Sequence, residues 1–399
     1  MPKKIIIVGG NSGAVLAKTL NAKLPDAQIT LINPRPYAVT LPTAPRMTVT
    51  PDNDLLDTGL IPFNKLFSNK NGTFVEGLVE IIKPNEKVVV LADGKEFPYD
   101  ALVLAPGSVW EGPVNFPEDP KEVHAHVKSW RGQFEKAQRI VLVGGGAVGL
   151  EFAGEIKDTW PKKEVTIVHG DTQVLNSTYP AGFRKALADD LSKRGVNVVV
   201  NDYVDEIPAA GPATVTTRRG STIEADLVVP TRGPRPRTEF VARSLGDTTL
   251  DQRKQIKVKP TLQLLDHPEI FAMGDVINYV EQKTAMKASA HGGVVAGNIV
   301  ALFAGKSLKP YKGSVEMIVV TNGKSLFVSA SFLAEYSPRQ ERRTRVHRDA
   351  MGHHLRSLVC AYDEVQDTHG WDDARVLWAL IGFSLKRYEG LQPPKLGQA

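Results

Sequence analysis

Two stretches of this chain repeat one pattern 135 residues apart, and that duplication limits the fold more than any other feature. Residues 4–14 read KIIIVGGNSGA, and residues 139–155 read RIVLVGGGAVGLEFAGE. In each, a β-branched run stops at glycines and gives way to helix-forming residues, which predicts a buried parallel strand, a tight turn and a helix. Such a turn brings backbone close to a pyrophosphate and aims the first N–H groups of the helix at the anion. The second copy is complete, with Gly144, Gly146 and Gly149 in GxGxxG spacing. The first is degenerate. Gly9 keeps the turn, Asn11 stands at the second glycine position, and Ala14 takes the third, where alanine is an accepted variant. Asn11 tolerates a positive φ, but it sets a side chain where the phosphate would come nearest.

The repeat extends past the glycines. PDAQITLIN (25–33) and PKKEVTIVH (161–169) are second β-branched strands that end 24 and 25 residues after Gly9 and Gly144. One βαβ unit is therefore written twice. A single unit needs one nucleotide, so two units predict two, and a flavin with a nicotinamide is the natural pair. The fold class expected is α/β, with two Rossmann-like dinucleotide-binding domains. LVLAPGS (102–108), which includes Ala105 and Gly107, reads as a strand leading out of the first domain; LVVPTRGPRP (227–236) reads as the strand of return. EIFAMGDV (269–276) sets Asp275 directly after Gly274 at a strand end, where an acid can accept a hydrogen bond from a ribityl hydroxyl.

In this order the motifs resemble the two-dinucleotide-binding-domain flavoproteins, and among them the apoptosis-inducing-factor-like group that includes ferroptosis suppressor protein 1 and the AMID-like NAD(P)H oxidoreductases. The resemblance spans residues 1–320 and is carried by VGGGAVGLEFAGEIK, WPKKEVTIVH, FAMGDV and KTAMKASAHGGVVAGNIV, with Pro310 and Tyr311 beyond. It implies a FAD-binding domain split over residues 1–112 and 230–312, an inserted NAD(P)-binding domain at 113–229, and a divergent C-terminal segment at 313–399. Prolines at 106, 113, 117 and 120 agree with a linker at the first boundary.

By that resemblance, FAD would lie over Gly9, Gly10, Asn11, Ser12, Gly13 and Ala14, with Ala105, Gly107, Gly274 and Asp275 near it. Asn33 stands where an acid usually holds the ribose, and its uncharged bond is weaker by about 1 kcal/mol. Arg46 matches an arginine near the flavin and phosphates, and Val79 matches the position whose backbone holds the adenine. Surface exposure for Arg46 and plain core packing for Val79 are the competing readings. The nicotinamide nucleotide would lie over Gly144, Gly146 and Gly149. Glu151 is expected to position the nicotinamide, or else to serve as a cap or ion-pair partner. His169 replaces the acid that would select NADH, so both NADH and NADPH are expected as donors. Lys283, Met286, Ala288 and His291 should pass beside the flavin, with His291 either a proton donor to the reduced acceptor or a satisfied core histidine.

Bulk properties narrow the chemistry. A single cysteine, Cys360, cannot form the redox pair that disulfide reductases of this class need, so that activity is excluded. The net charge of +5 and pI near 9.0 suit anionic nucleotides and do not call for nucleic acid. The basic run RQERRTRVHR (339–348) reads as a solvated segment, and His353, His354 and His369 lack metal-site spacing, so no metal is expected. The N-terminal apolar run is too short for a secretory signal, Pro2 excludes myristoylation, and the apolar stretch 376–385 is too short to span a bilayer. A cytoplasmic location is expected, with peripheral membrane or mitochondrial-surface association left open and no oligomeric state set. KSLFVSASF (324–332) alternates as a strand; beyond it the chain leaves the family pattern, as a divergent third domain or an altered reading frame would. Three functions fit: an NAD(P)H oxidoreductase acting on a quinone-type acceptor, a reductase for a small redox protein, and an NAD(P)H-responsive signalling flavoprotein with little turnover.

Overall fold

The computed structural model describes residues 1–51, 55–67, 70–208, 211–314 and 316–323, together with the backbone of the strands 326–332 and 345–350. Cys360, His353, His354, His369, the stretch 376–385 and most of the basic run at 339–348 lie outside the described residues.

The chain opens with β1 (Lys4–Gly9), helix α1 (Asn11–Lys23), β2 (Gln28–Asn33) and the short helix α2 (Ala44–Val49). β3 (Gly72–Glu76), β4 (Val79–Lys83) and β5 (Ala101–Ala105) follow. The unit then recurs as β6 (Arg139–Val143), helix α3 (Ala147–Thr159), β7 (Glu164–Val168), β8 (Val196–Val199) and β9 (Leu227–Pro230). After it come β10 (Ile270–Ala272), helix α4 (Ala285–Phe303), β11 (Glu316–Thr321) and β12 (Leu326–Phe332). The first parallel sheet has the order β10-β5-β1-β2-β3 and the second β8-β7-β6-β9.

Both sheets share one topology: the two strands that follow the opening strand in the sheet step outward on one side of it, and the next returns to its other side, where β10 adds a fifth strand to the first sheet. The reversal opens a crevice at the carboxyl ends of the opening and returning strands, where α/β sheets bind ligands. The β-branched runs form the central strands because both faces of each sheet are covered, in the second sheet by helices on one face and by an antiparallel hairpin within residues 213–225 on the other: Ile5, Ile7, Leu102 and Leu142 are fully buried. The outgoing and returning crossings pair with each other, Ser108–Val109 running antiparallel to Arg235–Pro236.

One apolar core runs from Ala44, Met47 and Val49 of α2 into Leu150, Phe152 and Ile156 of α3. β11 and β12 form an antiparallel hairpin whose turn at Asn322 and Gly323 lies against α3. The approach is close enough that a Cβ on Gly154 would stand 2.5 Å from the Gly323 nitrogen. Arg194 fastens the turn, donating to the Asn322 carbonyl, to the Gly154 carbonyl at 3.2 Å and to Asp158.

Candidate cofactor site

The first cradle forms where β1 ends at the reversal of the sheet. Gly9 has φ +154°, and a Cβ there would stand 2.0 Å from the Ala105 carbonyl oxygen of the returning strand. Gly13, on the inner face of α1, would meet Ile7 and Leu31 at 3.3 and 3.4 Å. Beside Gly10 the space is open, with Asn33 Oδ1 the nearest atom at 3.6 Å. Gly10 is the N-cap of α1, and no side chain caps that helix, so its first N–H groups have no side-chain acceptor. Ser12 and the buried Ala14 follow on α1. Asn11 differs from expectation: it begins the helix without a positive φ, and its Nδ2 donates to the Val39 carbonyl at 2.7 Å. A local tertiary partner holds the amide that the sequence placed toward the phosphate.

A cleft of about 190 Å³ opens beside this cradle, and Gly9, Asn33, Arg35, Val79, Arg237 and Phe240 are among the residues that line it. The structure thus brings three of the expected residues, Gly9, Asn33 and Val79, to one space. Asn33 donates Nδ2 to the Arg35 carbonyl at 2.7 Å. Arg35 was missed by sequence reasoning. Its Nη1 donates to the Phe116 carbonyl at 3.1 Å, and its buried Nε has no protein partner. An open glycine cradle, an uncapped helix and an orphaned guanidinium donor fit an anionic dinucleotide. Arg46 is not among the residues that line this cleft: its Nε and Nη2 bind both Glu155 oxygens at 2.9 and 2.8 Å, tying α2 to α3.

The Gly274–Asp275 turn follows β10 and abuts the same cradle; a Cβ on Gly274 (φ +78°) would lie 3.5 Å from Ser12 Oγ and 3.6 Å from Ala288 Cβ. Asp275 Oδ2 accepts from Ser108 Oγ at 2.7 Å, a partner that sequence reading passed over. Gly107 (φ +71°) opens onto free space, and its carbonyl accepts from the Arg237 N–H at 3.0 Å. His291 is fully buried. Its Nδ1 accepts from the Gly274 N–H at 3.1 Å, and its Nε2 lies 2.6 Å from Glu281 Oε1. With both ring nitrogens engaged, the proton-donor expectation for His291 gives way to that of a satisfied core histidine. Lys283 Nζ donates to the Tyr279 carbonyl at 2.7 Å, and burial lowers its pKa.

The second cradle repeats the first. Gly144 has φ +125°, and a Cβ there would stand 2.6 Å from the Thr231 carbonyl oxygen; one on Gly149 would stand 2.0 Å from the Gly144 carbonyl. Gly146 is the uncapped N-cap of α3, with no atom within 4 Å of its missing Cβ. His169 Nδ1 accepts from the Gly145 N–H at 3.1 Å, which leaves the ring proton on Nε2 to donate to the Leu175 carbonyl at 3.0 Å. Through these two bonds the imidazole braces the loop. Glu151 Oε1 accepts from the N–H and hydroxyl of Thr321 at 3.2 and 3.3 Å. Burial pushes its carboxyl up to about 7, with the Thr321 bonds opposing.

A sequence profile described as pyridine nucleotide-disulphide oxidoreductase matches residues 3–292. The chain belongs to the pyridine nucleotide-disulphide oxidoreductase family. Its similarity to the FAD-dependent oxidoreductase FVFD30 of Flammulina velutipes is 44% identity over 282 residues, covering 70% of this chain and 88% of that protein. Apoptosis-inducing factor homolog A of Dictyostelium discoideum is 31% identical over 330 residues, covering 76% and 78%. The sulfide:quinone oxidoreductase of Aquifex aeolicus superposes with a TM-score of 0.74 at 19% identity, over 98% of this chain and 96% of that one, which shows the shared fold. The expected kinship with the apoptosis-inducing-factor-like group is borne out. As a pyridine nucleotide-disulphide oxidoreductase, this protein is an FAD-dependent enzyme that uses NAD(P)H. Among the described residues, no cluster of metal-ligating side chains is found, and no helix is long and apolar enough to cross a membrane.

Proposed function

We propose that this protein passes electrons from NAD(P)H through FAD to a quinone or similarly small carrier, with FAD at the Gly9 cradle and the nicotinamide nucleotide at the Gly144 cradle. The observation that carries the reading is the matched pair of uncapped helix starts, each behind a glycine pressed onto a returning strand. FAD, when bound, supplies the relay by which a two-electron donor reduces a separate acceptor. The first domain, 1–112 with 230–312, would hold FAD, and the insert at 113–229 the nicotinamide nucleotide. One cysteine in 399 residues leaves no dithiol to carry electrons onward, which favours an acceptor that meets the flavin directly.

The chain's own groups orient and charge this arrangement. Gly10 and Gly146 leave room for two pyrophosphates; Asn33 and Arg35 would hold the adenosine end of the first nucleotide, and Asp275 its ribityl chain. Glu151 would hold the nicotinamide side. An ionised Glu151 beside the nicotinamide would stabilise the positive charge that this ring gains on giving up hydride. The Glu151 carboxyl is raised to about 7, so ionisation comes as pH rises through about 7. NAD(P)H consumption is therefore expected to climb with pH across that value. Glu151→Gln should run roughly tenfold slower at high pH, without the step; stopped-flow traces across a pH series check this.

His169 presents no carboxylate to repel a 2′-phosphate, which supports use of both donors. His169→Glu places a carboxylate there and is expected to raise KM for NADPH by roughly tenfold or more while changing KM for NADH little. Equal effects on both would remove His169 from the nucleotide's ribose.

The protein should purify yellow or take up FAD on reconstitution. Steady-state NADH oxidation with a short-chain quinone, set beside cytochrome and oxygen controls, tests the acceptor. Turnover with the quinone supports the proposal. Salt-dependent turnover with a redox protein alone, or reduction without turnover, would overturn it.

A further inference from the structure

We infer that Glu281 is a positioning residue for the flavin: acting through His291, it sets the Gly274–Asp275 turn against which the ribityl chain lies. The inference rests on the proposed placement of FAD at that turn.

The argument begins with one backbone N–H. Gly274 N donates to His291 Nδ1 at 3.1 Å in a buried setting. A backbone N–H only donates, so Nδ1 must be unprotonated and the ring proton must sit on Nε2. Nε2 lies 2.6 Å from Glu281 Oε1. An ionised carboxylate only accepts, so Glu281 demands the same tautomer that Gly274 demands. Protonating Nδ1 instead would set two donors against each other, and the turn would have to move.

The surroundings hold Glu281 in that role. Tyr311 hydroxyl donates to Glu281 Oε2 at 2.9 Å, and Lys287 Nζ stands 3.4 Å from the same oxygen. Lys287 is 2% exposed and also pairs with Glu316 at 3.2 Å. The Tyr311 ring meets the His291 ring edge-on, with centroids 4.5 Å apart. A buried set of two carboxylates and an ammonium is costly beside an apolar core of the same shape, so stability is a weak reason for it. Fixing an imidazole that in turn fixes a cofactor turn is a sufficient one, on the pattern of carboxylate–histidine pairs behind metal sites.

The test compares the full-length protein with Glu281→Ala, Glu281→Gln and Asp275→Ala, reading the dissociation constant for FAD by flavin fluorescence and the His291 tautomer by 15N NMR. Wild type should show an unprotonated Nδ1 and a protonated Nε2. Glu281→Ala should weaken FAD binding about tenfold and mix the tautomers, since an unmet buried donor costs about that much. Glu281→Gln keeps an amide oxygen for Nε2–H and should hold both the tautomer and, within about threefold, the affinity. An unchanged tautomer and affinity in Glu281→Ala overturn the inference; so does a protonated Nδ1 in wild type, or a folded Glu281→Gln as impaired as the alanine variant. Should Glu281→Ala not fold, the wild-type spectrum and Glu281→Gln decide. Asp275→Ala separates the two layers. FAD affinity equal to wild type there sinks the flavin's placement at the turn, whereas a loss there without a loss in Glu281→Ala sinks only the role of Glu281.

Discussion

Gly9→Ala is expected to yield a protein that holds no flavin and unfolds well below the wild-type temperature. The added Cβ would stand 2.0 Å from the Ala105 carbonyl oxygen, with the Ala105 carbonyl carbon at 2.6 Å, and both are backbone atoms. No flexible side chain can swing away, so β1 and β5 must part at the point where their ends define the crevice. The conformation adds to this, since φ +154° is one that L-residues rarely adopt. Overpacking and an unfavourable φ together cost about 3–5 kcal/mol, a large share of a domain's net stability. Thermal denaturation followed by circular dichroism, with the visible flavin absorption of the reconstituted protein, measures both consequences. A yellow variant of wild-type stability would mean that β1 and β5 do not meet as described.

The second large effect is expected at the pair Arg46–Glu155. Their side chains are 14% and 3% exposed, and the two bonds of 2.8 and 2.9 Å are bidentate. Removing one partner strands a buried charge, so Arg46→Ala and Glu155→Ala should each lose about 3–5 kcal/mol in urea denaturation. Replacing both by apolar residues of similar volume, Arg46→Met with Glu155→Leu, should recover most of that loss. The pair joins α2 to α3 across the apolar core those helices share, so the single variants should also weaken the packing that sets one cradle beside the other. Single losses below about 1 kcal/mol would show that the bridge contributes no more than a surface ion pair.

Much of the fold was legible before any coordinates. The central strands begin and end within a few residues of the β-branched runs at 5–8, 25–33, 139–143 and 161–169. Of the glycines that close on neighbouring backbone, Gly9, Gly144 and Gly149 were singled out by spacing, whereas Gly154 was not. KSLFVSASF did become a strand, Leu326–Phe332. The site was legible in part. Gly9, Asn33 and Val79 do line one cleft, and Gly274 does lie against the first cradle. Arg35, Ser108, Glu281 and Thr321 carried no local signal, because each matters only through a partner far along the chain.

What the sequence by itself determined is everything that depends on near neighbours: β-branched runs choose strands, glycines permit tight turns, and a repeated unit implies a repeated topology. What only the tertiary structure decided is which polar groups meet. Asn11 turns to Val39, Arg46 finds Glu155 at a separation of 109 residues, and His291 is closed at both nitrogens by Glu281 and Gly274. The reason is physical. Backbone conformation is governed by sterics within a few residues, whereas a hydrogen-bond or ion-pair partner is chosen by how separate elements cross, and those crossings exist only once the two sheets have packed.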